Sequence, residues 1–450
     1  MDLRRRLSHV FCLGEIPETL APPGSVVDNR HMTPMHPWRP WIMWGTGAAF
    51  FYFAFFQRTA TSVMVPELMR DFGVTAAALG NLSAFYFWSY TAMQLPTGIM
   101  ADRWGPRRLL ACAAAISGIG TLMFANADSV AMAAMGRLLV GASVGFAFVC
   151  TLKIATDWFP AHRMGLLSGL LMMAGMLGGV SGQGPLAIAV QSYGWRTSMS
   201  AGAGLALVLA LAAWFIVREH HKSDQASTER TGSGSALASL RRALGRRQTW
   251  LIAGFGFFLL PPMFAFGALW GVPYLSQVHG FERTEAAFAA SLILLGWGIC
   301  APFVGWLSDR LRRRKLPMII AASLNAVCMA SLFYIPDPSK FAIHVILLAN
   351  GVATAGMVGC FVMAREHNAT EDAGSAMAFV NMAVIGCGAF FQPITGWLLD
   401  KGWRGEMADG ARIYSEAAYL GAFWIIPASC TVAALLAMMT HETYAKAQVD

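Results

Sequence analysis

Long apolar runs, each ended by a short cluster of charge, proline or glycine, recur along the whole 450-residue chain. Twelve of them approach or exceed the ~20 apolar residues that a helix needs to cross a bilayer. They lie near 41–66, 79–101, 107–126, 129–156, 164–188 and 197–217, and then near 249–274, 285–307, 317–335, 342–365, 373–397 and 414–439. The pattern predicts an all-α membrane protein with twelve transmembrane helices in two six-helix bundles, residues 38–217 and 249–440. A linker, 218–248, joins them. Its first part, HHKSDQASTERTGSGS, reads as a flexible tether; its second, ALASLRRALGRR, reads as a short basic helix on anionic lipid. Residues 441–450 form a tail. Residues 1–37 are polar and proline-rich and lack the apolar stretch of a signal peptide. They are expected to be a disordered cytoplasmic extension, with Met1, Met32 or Met35 as the start.

Composition narrows the function class. The chain is 56% hydrophobic and only 13% charged, and a water-soluble surface needs far more charge than that. A soluble enzyme or a nucleic-acid-binding protein is excluded on this ground. The net charge of +8 fits the excess of Lys and Arg in cytoplasmic loops of membrane proteins. Turns after even-numbered spans hold seventeen Lys and Arg, from Arg103 to Arg365, against seven in the odd-numbered turns, from Arg70 to Arg412. Both termini are therefore expected in the cytoplasm, in a bacterial inner membrane. The eight cysteines show no CxxC spacing and read as packing residues. Neither metal nor cofactor is expected. No G-x-x-x-x-G-K-[ST] or G-x-S-x-G occurs, so the expectation is a transporter without an ATP site, not an enzyme.

The two halves repeat. Gly98 and Asp102 recur as Gly305 and Asp309, and Pro66 as Pro273, each 207 residues on; Gly165 and Gln183 recur as Gly374 and Gln392, 209 residues on. Such paired bundles can rock about a cavity at mid-membrane.

With these motifs in place the chain resembles a major facilitator superfamily transporter. GIMADRWGPRR (98–108) resembles that superfamily's loop signature, and GWLSDRLRRRK (305–315) its second copy. The resemblance implies a conformational latch at Gly98, Asp102, Arg103, Arg107, Gly305, Asp309 and Arg310, and alternating access without cofactor, in a monomer. The first half is similar to anion:cation symporters and sugar-phosphate permeases: Arg58 is followed by Pro66, then Gly80, Ser83, Phe85, Tyr90, Gln94, Pro96 and Gly98, with Arg137–Gly141 matching the fourth helix. Those symporters carry an acid before the first Arg and a Glu three residues past the helix-4 Gly. Here the positions hold Gln57 and Val144, which removes the acids of that family's proton route.

Arg58, Arg137 and Lys153 are cations inside predicted spans. Each costs about 2.5–3.5 kcal/mol at a helix centre on insertion scales and so needs a polar surrounding. Arg58 and Arg137 each lie eight residues from the far end of their helices, about 12 Å deep at 1.5 Å per residue. Two guanidinium groups at one depth with no acid between them suit an anionic substrate. Backbone hydrogen bonding of Arg137 and snorkelling of Lys153 are the alternatives. Tyr52, Tyr90, Gln94, Trp270, Tyr274, Asn381 and Gln392 are further candidates for lining the cavity. Asp157 and Glu366 occupy matching places, 209 residues apart, and read as gate residues. The leading function is secondary transport of a small organic anion (carboxylate, sugar acid or organophosphate). Export or exchange of a larger amphipathic or metal-chelating compound (a drug or siderophore) is the alternative, and a non-transporting receptor on this fold is a third.

Overall fold

The computed structural model describes residues 38–219 and 233–444; the predicted extension, the tail from 445 and residues 220–232 of the predicted tether lie outside them, and the tether's last three residues are helical. Apolar helices dominate. α1 is Arg39–Thr59. α2, residues 76–102, runs on into α3, Arg103–Ala125, and the chain turns at Gly105, just inside α3, where φ is 74°. α4 is Val130–Trp158, α5 Met164–Tyr193 and α6 Trp195–Ile216. The second half repeats the order with α7 Arg247–His279, α8 Arg283–Leu311, α9 Lys315–Tyr334, α10 Lys340–Glu366, α11 Ala373–Gly402 and α12 Glu416–Met439. Among the described residues ten of these, all but α1 and α2, are long and apolar enough to cross a membrane by themselves. α1 and α2 hold the places of the first two predicted spans.

Side-chain caps start several helices: Thr75, Ser129, Ser339 and Ser415 each accept a bond from the backbone N–H three residues on. α1 stops at Thr59, short of the predicted end at 66, because a 3₁₀ turn, Ala60–Val63, follows and Ser62 Oγ donates back to Thr59 O at 2.7 Å. A short helix, Val65–Phe72, completes that connection. The predicted basic helix of the linker is present as Ser233–Leu244, and its Arg242 grips the Asp372 carboxylate at the start of α11. Between α11 and α12 a hairpin of β1, Met407–Ala408, and β2, Ala411–Arg412, folds over the molecule. That end is called the hairpin end here; the opposite end, where α6 finishes and Ser233–Leu244 lies, is the linker end.

Large apolar side chains such as Ile119, Leu211, Phe215, Ile299 and Val327 are exposed, as expected where lipid rather than water surrounds the protein. Inside, glycines set helix spacing. A Cβ on Gly136 would lie 2.6 Å from Gly120 O, and one on Gly351 2.4 Å from Ile293 O. The same device closes the seam between bundles at the hairpin end, where Gly80 of α2 lies on the Gln392 backbone of α11 and Gly184 of α5 lies on the Phe288 ring of α8. Toward the linker end the matching positions Gly98, Gly165, Gly169 and Gly374 have open space beside them. The bundles therefore meet at the hairpin end and part at the linker end.

Candidate functional site

Two arginines lie buried in the first bundle, and Arg58 reaches the seam with the second. The α1–α4 contact brings them to one level, since Arg137 Nη1 donates to the carbonyl of Gln57, the neighbour of Arg58, at 2.9 Å. Gln57 in turn donates through Nε2 to Thr121 Oγ1 at 2.9 Å, so the residue in the place of an acid ties α1 to α3 and α4. Arg137 is only 1% exposed and lies 4.9 Å from the Tyr86 ring centroid. Its Nε and Nη2 are buried with no hydrogen-bond partner.

Arg58, 5% exposed, faces the second bundle. Its guanidinium carbon lies 4.2 Å from the Phe55 ring, 5.4 Å from Tyr90 and 5.5 Å from Phe264 of α7. Its Nε is buried without a partner. None of the ion pairs among the described residues includes either arginine. Beside Arg58 is a cavity of about 10 Å³, the room of one water molecule. Thr59, Gln183, Phe264, Gly267 and Leu294 form its walls. Ring faces offset part of the cost of burying a cation, up to about 2 kcal/mol when water is excluded. Unsatisfied buried donors cost about 1–3 kcal/mol each, more when charged. The arrangement thus offers positive N–H groups to a negative oxygen.

The helices around the cavity are irregular. α5 breaks at Gly182–Gln183, just before Gly184–Pro185, a pair that permits bending. α7 widens into a π-helical stretch over Pro262–Trp270. Into that stretch come two pseudo-equivalent glutamines, Gln183 Nε2 donating to Gly267 O at 2.6 Å and Gln392 Nε2 to Phe264 O at 2.7 Å. Both Oε1 atoms are buried without a partner. The 209-residue offset marks both positions in the sequence, but only their meeting on α7 reveals the shared role.

The other candidates spread along the seam. Tyr90 stacks on Tyr86 with centroids 6.2 Å apart, and Gln94 accepts from Asn381 Nδ2 across the seam at 3.0 Å. Tyr52 is half-buried, with its backbone against Gly178. Trp270 Nε1 donates to Gln392 O at 3.1 Å. Lys153 Nζ donates to Ala101 O at 2.8 Å. Tyr274 is held apart from Arg58, in an aromatic cluster of the second bundle with Phe266, Phe333, Tyr419 and Phe423.

At the linker end the second copy of the loop signature forms a charge cluster. Arg314, 6% exposed, donates to Asp309 Oδ1 at 2.5 Å and to Glu366 Oε1 at 2.9 Å. Thr443 Oγ1 also donates to Glu366, and Glu442 caps the Arg314 and Lys315 N–H groups. The sequence singles out Arg310, yet Arg310 is exposed over the Trp306 ring and Arg314 makes the bonds. In the first bundle Arg107 Nε donates to Trp214 O at 2.9 Å, Arg103 is exposed and Asp157 half-buried, while the Asp102 side chain lies outside the described residues. Gly98 has open space beside it and Gly305 touches Val358.

At the hairpin end the seam is bonded directly. The Asp400 carboxylate of α11 accepts from the first N–H groups of α2, Ala76 at 3.1 Å and Ala77 at 2.8 Å. It also accepts from Arg412 Nη1 at 3.2 Å and Tyr414 Oη at 2.8 Å. Arg283 Nη1 donates to Glu67 Oε1 at 2.5 Å from the other bundle. Sequence reading missed Asp400 because the two partners that tie it to the other bundle are backbone groups more than 300 residues away.

Residues 47–384 and 262–449 match the family model described as Major Facilitator Superfamily. Among curated proteins the chain is 25% identical over 281 residues to "Probable sulfoacetate transporter SauU" of Cupriavidus necator, an overlap of 60% of this chain and 65% of that protein, slightly under two thirds of its length. It is 24% identical to "Membrane sensor protein UhpC" of Escherichia coli over 85% of this chain and 89% of that one. It is 25% identical to "Gallate transporter" of Pseudomonas putida over 67% of this chain and 71% of that one. Among solved structures the fold is similar to that of a bacterial homolog to the human lysosomal transporter Spinster, inward-facing and unoccupied, with a TM-score of 0.73, 17% identity, and 90% of this chain and 97% of that one covered.

Proposed function

The chain belongs to the major facilitator superfamily, and from that premise we propose that it moves a small organic anion across a membrane by alternating access. The observation that carries the reading is the pair Arg58 and Arg137: buried, level with each other, with unsatisfied N–H groups and no carboxylate partner among the described residues. A carboxylate, sulfonate or phosphate entering from the open linker end neutralises such a pair through charge-assisted hydrogen bonds. We place Arg58, Tyr90 and the Gln94–Asn381 pair on the substrate, with Arg137 supplying positive field from behind Tyr86. Tyr52, Trp270 and Gln392 shape the walls, and Lys153 lies nearer the linker end. Relatives named for sulfoacetate and gallate transport support this substrate class.

We place the linker end in the cytoplasm of a bacterial inner membrane, following the excess of Lys and Arg there. The structure then corresponds to the inward-facing state. The protein works as a monomer of two bundles, with no catalytic step. The Asp309–Arg314–Glu366 cluster acts as the latch of the second bundle, and Asp157, Asp102 and Arg107 as its counterpart in the first.

The test is a thermal-shift panel of sulfoacetate, gallate, D-glucarate and glucose 6-phosphate on the purified chain, followed by uptake into vesicles. At least one anion stabilises the protein, and Arg58→Gln raises its half-saturating concentration at least about tenfold. A half-saturating concentration left unchanged by Arg58→Gln removes the anion assignment. A sensor is the second reading, favoured by the match to a membrane sensor along most of its length; binding without uptake selects it.

A further inference from the structure

Resting on the transport reading, we propose that the hairpin end carries a second anion site, an external recruitment subsite for a small carboxylate or sulfonate. A cavity of about 240 Å³ lies in the seam there, between Ser62 and Pro66 of the first bundle and Pro273, Ser276, Gln277 and Arg283 of the second. Its polar groups are donors. Arg283 spends one guanidinium N–H on Glu67 Oε1, and a guanidinium has five. Ser276 Oγ is buried in the wall with no hydrogen-bond partner. Gln277 uses its carbonyl oxygen on Tyr414 N at 3.3 Å and Tyr419 Oη at 3.0 Å, which leaves its NH₂ group to donate elsewhere. Ser62 Oγ already donates to Thr59 O. No carboxylate belongs to the lining.

Glu67 is held on one side only. Its Oε2 is buried without a partner while Oε1 takes the Arg283 bond. An anion in the cavity competes with Glu67 for Arg283, and in doing so loosens a bond that ties the bundles together. The two members of the ion pair thereby have opposite effects on anion binding, although losing either one breaks the same bridge. Glu67 opposes the anion and Arg283 attracts it.

The experiment is a thermal-shift titration of the full chain with sulfoacetate, made in the Arg58→Gln background so that the central arginine contributes nothing. A weak response remains there. Adding Glu67→Gln lowers the half-saturating sulfoacetate concentration at least threefold, and adding Arg283→Gln raises it at least threefold. Ser276→Asp, which leaves the ion pair intact and puts a negative charge in the cavity, abolishes the response and carries the test if a pair variant fails to fold. Shifts in the same direction for Glu67→Gln and Arg283→Gln, no shift for any variant, or no response in Arg58→Gln overturn the second site while leaving the central one standing. No response of the unaltered protein to any anion of the panel overturns the transport reading and this site with it.

Discussion

Arg58 is buried among three aromatic rings with an unmatched Nε. A hydrogen bond to a charged group contributes about 1.5–3 kcal/mol, and 1.4 kcal/mol is about tenfold in affinity. Arg58→Gln is therefore expected to weaken anion binding at least about tenfold, read as the half-saturating concentration in a thermal-shift titration. Arg58→Lys keeps the charge but loses the planar fork, and should fall between the two. Asp71, near the hairpin end, gives a second expectation. Burial works against its charge, but bonds from Trp195, Arg196 and Arg70 hold its pKa below the ordinary carboxylate value. A carboxylate lowered on folding stabilises the protein above its unfolded pKa, and that stability is lost as the pH falls through the folded value. Melting temperature should drop more steeply in the parent than in Asp71→Asn as the pH falls below the ordinary carboxylate value of about 3.9.

At the scale of helices, the close approaches make two substitutions informative. A side chain at Gly80 collides with the Gln392 backbone, 2.6 Å from its carbonyl oxygen, and neither partner can yield as a flexible side chain would. Gly80→Leu is expected to hold the hairpin end open, increasing labelling of Ser276→Cys by a membrane-impermeant thiol reagent. Arg314→Ala leaves Glu366 and Asp309 without their shared cation, and breaking a buried pair costs about 3–5 kcal/mol; differential scanning fluorimetry should show a lowered melting temperature. Helices of this kind were legible because an apolar run of bilayer length has few other uses. The break in α5 lies beside Gly184–Pro185, a pair that permits bending. The π-helical stretch of α7 was not legible, since PPMFAFGALW carries no local signal for widening. It exists where Gln183 and Gln392 supply side-chain partners to its carbonyls.

Across the whole molecule the two bundles are bonded at the hairpin end, while Gly98, Gly165 and Gly374 toward the linker end stand clear of neighbours. The repeat offsets made the pairing of halves readable, and the buried arginines were readable because a cation in an apolar run stands out. What stayed hidden depends on groups distant in sequence meeting face to face: the Glu67–Arg283 bridge, the Arg314 cluster and the cap that Asp400 places on α2. That cap has a consequence for how the protein can change by mutation. The groups it holds are peptide N–H donors, present whatever amino acids occupy Ala76 and Ala77, proline excepted. Sequence drift along α2 cannot erode this fastening. On the acceptor side the strength rests with Asp400, so a one-atom exchange to asparagine retunes how firmly this end is fastened while Arg58 and Arg137 stay as they were.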